Sequence, residues 1–242
     1  MSMEPGTTTG RGHRVAVRLY WADLDLPPCP FEALKECLAP GELARAARYA
    51  HADLRRRWIT ARGALRHCLA SWTGADPRAL TLDASPRGKL RLAGGPAFNL
   101  SHSGRHLLIA MAPAGRVGVD VEARAVADPE PLVRQACSRR EAEAICALPD
   151  TAPERPRTTA FIRTWVRKEA LVKAFGAGVT VPLAAFEVRH DTGQGNLLRS
   201  VKWPGEQLAQ WQVRALAAPP GMEAAVAWDT PEFEPGVVPW PT

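Results

Sequence analysis

Residues 161–178, FIRTWVRKEALVKAFGAG, have the pattern of an amphipathic helix that carries two charges within its apolar stripe. At about 100° per residue, one side collects four large apolar residues, Phe161, Trp165, Val172 and Phe175. Lys168 falls on that same side, and Glu169 lies beside Trp165. An isolated buried charge is unfavourable enough that the group normally finds a partner or becomes neutral. The helix must therefore reach solvent there, or contribute both charges to a polar site.

Two interpretations of these charges remain open from the helix alone. Glu169 and Lys173 are four residues apart in the favourable order, and such a pair on an exposed helix contributes about 0.2–0.5 kcal/mol. Alternatively, a polar site lies at the edge of the core, with Glu169 facing a metal and the lysines facing an anion.

Composition and cysteine spacing describe an ordinary globular protein. The chain has 242 residues, of which 46% are hydrophobic and 23% charged, enough for one large domain or two small ones. Apolar runs such as residues 106–112 are far shorter than the roughly 20 residues of a membrane helix. The polar N-terminus does not resemble a signal peptide, and five scattered cysteines argue against a zinc site or a disulfide framework. We expect a cytoplasmic protein with no membrane partner.

Hydrophobic periodicity predicts the same order of elements twice. The first half reads as a strand at 14–24, helices at roughly 31–50 and 53–72, and strands near 89–92, 98–103 and 106–112. The second half reads as a strand at 116–122, helices at roughly 130–147 and 160–175, and strands at 185–190, 211–216 and 223–228. The predicted fold class is α+β, with two similar subdomains in tandem and a ligand cleft between them. The predicted boundaries are a disordered N-terminus at 1–13, subdomains at 14–114 and 115–230, and an irregular tail at 231–242.

The segment GVDVE, residues 118–122, carries two carboxylates on one face of a predicted strand. Alternation places Asp120 and Glu122 together, while Val119 and Val121 point into the core. Neighbouring carboxylates raise each other's pKa unless a cation lies between them, and ligation by oxygen alone suits magnesium. The alternative is a strand end with two solvated acids, and so short a motif, taken alone, favours that alternative.

Basic residues are concentrated between positions 45 and 66, in a chain with a net charge of +6. Such a cluster suits nucleic acid, a membrane surface or a phosphorylated small molecule. Arg55, Arg62 and Arg66 share a helical face flanked by apolar residues, so they either extend to water or bind a fixed anion. The sequence has neither zinc-finger spacing nor an aromatic ribonucleoprotein motif, which favours a small-molecule phosphate.

The segment FNLSHS, residues 98–103, places His102 at a strand end. No acidic partner for a nucleophilic triad is evident, which argues against a serine hydrolase. His102 is then either structural or a donor to phosphate.

FNLSHS, GVDVE and WVRKEALVKAFGAG, in this order, resemble the 4′-phosphopantetheinyl transferases of the surfactin-synthetase type. Weaker similarity at residues 38–66 and in SPRGKL, residues 85–90, extends the resemblance to about 38–190. It implies two similar α+β halves with the active site between them. It also implies a holo-[acyl-carrier-protein] synthase that transfers phosphopantetheine from coenzyme A to a serine of apo acyl or peptidyl carrier proteins, releasing 3′,5′-ADP. The family serves fatty acid, polyketide and nonribosomal peptide carriers. The two-half pattern favours a monomer, because one chain supplies both sides of the cleft.

The resemblance also implies roles for particular residues. The Mg²⁺ ligands would be Asp120, Glu122 and Glu169, with Asp120 also against coenzyme A. Lys168 and Lys173 would meet the diphosphate or the 3′-phosphate, Lys173 with a part in catalysis. The remaining coenzyme A contacts would come from Ser101, His102, Lys89 beside the adenine, and more loosely Arg45, Arg48 and Arg62.

The general base for the carrier serine is left open between Glu169 and Glu141. The family often has an aromatic residue and a proline where Arg87 and Leu90 stand, so the adenine contacts differ here. Two other hypotheses remain, namely a non-catalytic relative that binds coenzyme A or a carrier protein, and a basic nucleic-acid-binding protein. The intact carboxylate set argues against the first, and the absence of a nucleic-acid motif argues against the second.

Overall fold

A computed structural model describes residues 8–9, 13–151, 153–176 and 181–241. The helices are α1 (Phe31–Glu36), α2 (Pro40–Ala47), α3 (Ala52–Thr73), α4 (Glu130–Ala136), α5 (Arg139–Cys146) and α6 (Pro156–Phe175). The strands are β1 (Thr8–Thr9), β2 (His13–Asp23), β3 (Leu82–Ala84), β4 (Leu90–Leu92), β5 (Ala97–Ser103), β6 (His106–Ala112), β7 (Val117–Ala123), β8 (Phe186–Val188), β9 (Leu198–Val201), β10 (Gln212–Leu216), β11 (Met222–Trp228) and β12 (Glu234–Val237). The α+β class is thereby confirmed.

The first half is a sheet covered by one long helix. β2, β6 and β5 pair antiparallel, and the aliphatic face of β6 contributes Leu107 and Ile109 to a core that includes Leu65 and Leu69 of α3. The 22-residue helix α3 ends at Gly74, whose φ of 74° lies in the left-handed region that glycine adopts readily. The second half places α6 against the three-stranded sheet β10-β11-β7.

The close approach of α6 to β7 depends on Gly118. A Cβ atom at this position would overlap the carbonyl oxygen of Ala170 and the amide nitrogen of Ala174, both in the backbone of α6. Glycine is thus required where helix and strand touch. This contact fixes the residues of α6 relative to Asp120, two positions further along β7.

Two of the four predicted helical stretches, 31–50 and 130–147, are each divided into two helices. Ala39 has extended dihedrals because it precedes Pro40, which separates α1 from α2. Ser138, with extended dihedrals, separates α4 from α5. It is the N-cap of α5 and forms a reciprocal capping box with Glu141. The short strands β3 and β9 were not predicted, since three or four residues give little periodicity.

The tail at 231–242 corrects the expectation of irregular chain, because β12 pairs in parallel with β2. The Nε1–H of Trp240 donates to the carbonyl of Trp21 at 2.7 Å, which anchors the segment beyond β12. The prediction for residues 1–13 falls mostly outside the described residues, of which β1 and His13 lie in a short antiparallel pair. In the described part of the chain, no helix is both long and apolar enough to cross a membrane.

Candidate active site at the seam between the two sheets

Alternate side chains of β5 join the two sheets. The Oδ1 of Asn99 accepts from the backbone N–H of Val119 at 2.9 Å, and Ser101 donates its hydroxyl to Oδ1 of Asp120 at 2.8 Å. Ser103 donates to Oε2 of Glu122 at 2.9 Å. Because side chains alternate along a strand, these three polar residues share one face and meet β7 in register. The alternation predicted for GVDVE is confirmed, since Val119 and Val121 are fully buried in the core.

Lys173, in the last turn of α6, completes a polar triangle with two of these groups. Its ammonium lies 2.5 Å from Oδ1 of Asp120 and donates to the hydroxyl of Ser101 at 2.9 Å. Among the described residues, the salt bridge of Lys173 is therefore made with Asp120 rather than with Glu169. The structure thus replaces the local Glu169–Lys173 pair considered from the sequence with a Lys173–Asp120 pair that links α6 to β7.

The three predicted metal ligands share a crowded electrostatic environment. Burial raises the pKa of Glu169, and the charges of Asp120 and Glu122 raise it further, while Lys173 opposes the shift. Burial likewise raises the pKa of Glu122, with Asp120 as a further cause. The pKa of Asp120 is also raised by burial, against the stabilising effect of Lys173 and Ser101. Burial is thus the main cause of all three raised pKa values, and the ammonium of Lys173 does not offset it.

The donor set suits a hard cation in its chemistry. Oδ2 of Asp120 is buried and has no hydrogen-bond partner within the described ranges. Glu122 and Glu169 would return toward their ordinary pKa beside a cation, and all the available donors are carboxylate oxygens. No three His, Cys, Asp or Glu side chains among the described residues are already grouped as a finished metal site. These three carboxylates therefore fit a hard cation in their charge and in the type of ligand atom they offer.

A cavity of about 600 Å³ opens beside this cluster. Glu169 and Lys173 supply charged groups to its wall, and Trp165 and Val172 on the same helix supply apolar surface. The rest of the wall comes from the hairpin turn at 87–89, from Asn99 of β5, and from α4 and the segment after α6, namely Leu132, Gln135, Ala136, Gly176, Val181, Pro182 and Leu183. Both halves of the chain thus line the cavity.

Lys168 and Glu141 lie away from the cavity and are bound to each other. Lys168 is 0% exposed, and its ammonium lies 2.5 Å from Oε2 of Glu141 and 2.9 Å from the carbonyl of Ala136. Glu141 also accepts from the backbone N–H groups of Ser138 and Val188, both at 2.8 Å. The structure does not bring this pair to the Asp120 cluster. The ion pair would have to break before Lys168 could contact phosphate or Glu141 could act as a base.

The predicted phosphate contacts on the first half occupy two places. Arg62 interacts with Glu42 at 3.5 Å, and its Nη1 is buried without a hydrogen-bond partner among the described residues, whereas Arg45 and Arg48 are exposed on and after α2. Both Arg45 and Arg62 approach the ring of Trp58. His102 is exposed at the end of β5, where partial desolvation and the charge of Lys173 lower its pKa.

Two further expectations concern Arg66 and Lys89. Arg66 is fully buried and bound to Glu42 and to the carbonyls of Pro77 and Leu80, so it serves the core rather than an anion. The turn that carries Lys89 lines the cavity, while the amine of Lys89 donates to a carbonyl at the end of α6. Sequence reasoning missed Asn99 and Ser103, although the alternation in FNLSHS marks both.

The comparisons with known proteins agree with one another. The model of the 4′-phosphopantetheinyl transferase superfamily matches residues 116–227. The 4′-phosphopantetheinyl transferase HetI of Nostoc sp. is 36% identical over 169 residues, covering 67% of this chain and 70% of that protein. A putative 4′-phosphopantetheinyl transferase of Synechocystis sp. is 30% identical, with 77% of this chain and 79% of that protein covered. The 4′-phosphopantetheinyl transferase Sfp of Bacillus subtilis is 28% identical, with 56% of each covered.

Proposed function

The chain belongs to the 4′-phosphopantetheinyl transferase superfamily, and from this premise we propose that it transfers phosphopantetheine from coenzyme A to a serine of an apo carrier protein. The products would be the holo carrier and 3′,5′-ADP, and acyl and peptidyl carriers are the expected acceptors. The observation that carries the proposal is the Asp120–Lys173 cluster at the wall of a cavity lined by both halves.

Phosphoryl transfer of this kind needs positioning and charge stabilisation more than covalent help from the protein. Lys173 supplies a fixed cation, since Asp120 and Ser101 hold its ammonium in place. We assign it to the diphosphate oxygens on which charge accumulates as 3′,5′-ADP leaves. Asp120, Glu122 and Glu169 would hold Mg²⁺, which supplies charge neutralisation at the diphosphate when bound.

Glu169 is the favoured acceptor for the serine proton. It lines the cavity, so its carboxylate is open to the hydroxyl of an incoming carrier serine. Glu141 remains the alternative only if its buried bond to Lys168 opens. The 3′-phosphate and ribose side are assigned to Arg62, Arg45 and Arg48, because Arg62 retains an unpartnered buried donor among the described residues. His102, at the end of β5, is assigned a separate phosphate contact.

A test follows from the products. The protein, coenzyme A and magnesium chloride are incubated with an apo carrier protein, and 3′,5′-ADP is quantified by chromatography. The matched control is the same carrier with its acceptor serine replaced by alanine. Release that requires both the serine and the magnesium supports the proposal. The proposal would be rejected if no 3′,5′-ADP were released from coenzyme A with any of a range of apo carriers. A retained affinity for coenzyme A would then indicate a binding protein.

A further inference from the structure

Lys89 of the first half donates two hydrogen bonds to the end of α6 and a third to the start of β7. Its ammonium donates to the carbonyl of Lys173 at 2.7 Å, of Ala174 at 3.0 Å and of Val117 at 3.1 Å. An ammonium has three N–H donors, so this arrangement uses all of them. The amine is thereby committed to backbone carbonyls, although the rest of the residue lines the cavity.

Two of these carbonyls belong to the last turn of α6, where helices leave acceptors without an intrahelical donor. The N–H of Gly176 binds the carbonyl of Val172, and within the described part of the chain the next two carbonyls, of Lys173 and Ala174, accept from Lys89. Lys89 provides that donor from a different part of the chain. A positive charge at this position is also favoured by the helix dipole.

The turn that presents Lys89 is itself rigidly bonded. The N–H of Lys89 donates to the hydroxyl of Ser85 at 3.0 Å, and Ser85 exchanges two further backbone hydrogen bonds with the turn. Gly88 has a φ of 84°, which suits glycine in this tight connection. Burial lowers the pKa of Lys89 to about 8, with Arg91 and Arg116 as further causes, so the amine still carries its charge at neutral pH.

We propose that Lys89 is a positioning residue, which holds the last turn of α6 so that the ammonium of Lys173 stays against Asp120. The same residue of α6 offers its carbonyl to Lys89 and its side chain to the site. The effect of Lys89 on turnover rests on the proposed transferase function, whereas its role in holding the last turn of α6 does not. Lys89 then influences turnover through Lys173 rather than through contact of its amine with the nucleotide.

The first experiment measures hydrogen–deuterium exchange in Lys89→Met, which keeps an unbranched apolar side chain and removes the three donors. Loss of a charged hydrogen bond should accelerate exchange in the last turn of α6 by about 10- to 100-fold. Arg91→Met is the matched control, because it removes a positive charge from the same exposed hairpin. Unchanged exchange at residues 172–176 in Lys89→Met would overturn the proposal, whether or not the protein proves to be a transferase.

The second experiment separates positioning from nucleotide binding. Lys89→Met should lower kcat by about tenfold or more with a change in the KM for coenzyme A of less than about threefold, since the effect passes through Lys173. Lys89→Met combined with Lys173→Met should be no slower than Lys173→Met alone. Lys89→Arg, which retains charge and donors, should keep more turnover than Lys89→Met and serves if the latter fails to fold. A rise in KM with additive losses would instead place the amine on the nucleotide.

Discussion

Replacing Lys168 with methionine tests whether the Lys168–Glu141 pair is structural. The substitution keeps the length of the apolar stem but leaves the carboxylate of Glu141, 6% exposed, without its cation. Removing one member of a buried ion pair typically costs about 3–5 kcal/mol because the remaining charge is uncompensated. For a chain of this size, such a loss corresponds to a decrease in Tm of roughly 6–20 °C.

The assay is urea unfolding of the wild type and Lys168→Met, followed by fluorescence and circular dichroism to test for a single transition. Arg139→Met is the matched control, since Arg139 forms an i,i+4 pair with Glu143 on α5 whose side chains are 92% and 65% exposed. Exposed pairs of this kind contribute little to stability, because solvent screens the attraction between the charges. Both variants lose one positive charge, so the difference between their losses of unfolding free energy reports the effect of burying the ion pair.

The double variant Lys168→Met/Glu141→Gln should lose less free energy of unfolding than the sum of its single variants, because no buried charge then remains. The amide oxygen introduced by Glu141→Gln would still accept from the N–H of Val188. The reasoning would be refuted if Lys168→Met lost less than about 1 kcal/mol while transfer activity disappeared. That result would mean that the pair opens and acts at the site.

Three further predictions concern the site and its framework. Gly118→Ala should lower the free energy of unfolding by about 1–3 kcal/mol through overpacking against Ala170, measured by urea unfolding. Arg62→Met should raise the KM for coenzyme A by about tenfold, as expected when a charged donor to phosphate is lost, whereas Arg56→Met should not. Glu122→Gln should gain stability relative to the wild type as the pH rises from the ordinary glutamate range through the raised folded-state pKa of Glu122. Within that range the folded wild type retains a proton that its unfolded chain releases, so its stability falls with pH; unfolding at a series of pH values measures the difference.

Much of the fold could be predicted because its elements have strong periodicity. The strand at 106–112 agrees in both bounds, and α6 was recognised from its apolar arc despite its charges. The tail was misjudged because β12 contains Pro235 and Gly236, which weaken any strand pattern. Its pairing depends on β2, more than 200 residues earlier, and no local signal reports such a contact.

Sequence patterns indicate some of the side chains that cluster beside β7, but only part of their geometry. Alternation gives the common face of Asp120 and Glu122, and the resemblance adds Glu169 and Lys173. Nothing local reveals that Lys168 turns into the core, because helical position alone cannot distinguish a cavity from a buried carboxylate on another helix. The partner of Lys168 lies 27 positions earlier, and the Lys89 amine reaches a carbonyl 84 positions away.

The most direct measurement is an intact-protein mass spectrometry time course on one apo carrier protein, with coenzyme A and magnesium, using the wild type and Glu169→Gln in parallel. The wild type should add one phosphopantetheine per carrier, and a chelator should abolish the addition. Glu169→Gln should be slower by at least about 100-fold, because the variant loses the favoured base and a magnesium-binding carboxylate. The Glu169→Gln protein should remain folded, since a carboxylate with a raised pKa does not stabilise the fold. Equal rates for the two proteins would contradict the assignment of the site to the Asp120–Lys173 cluster.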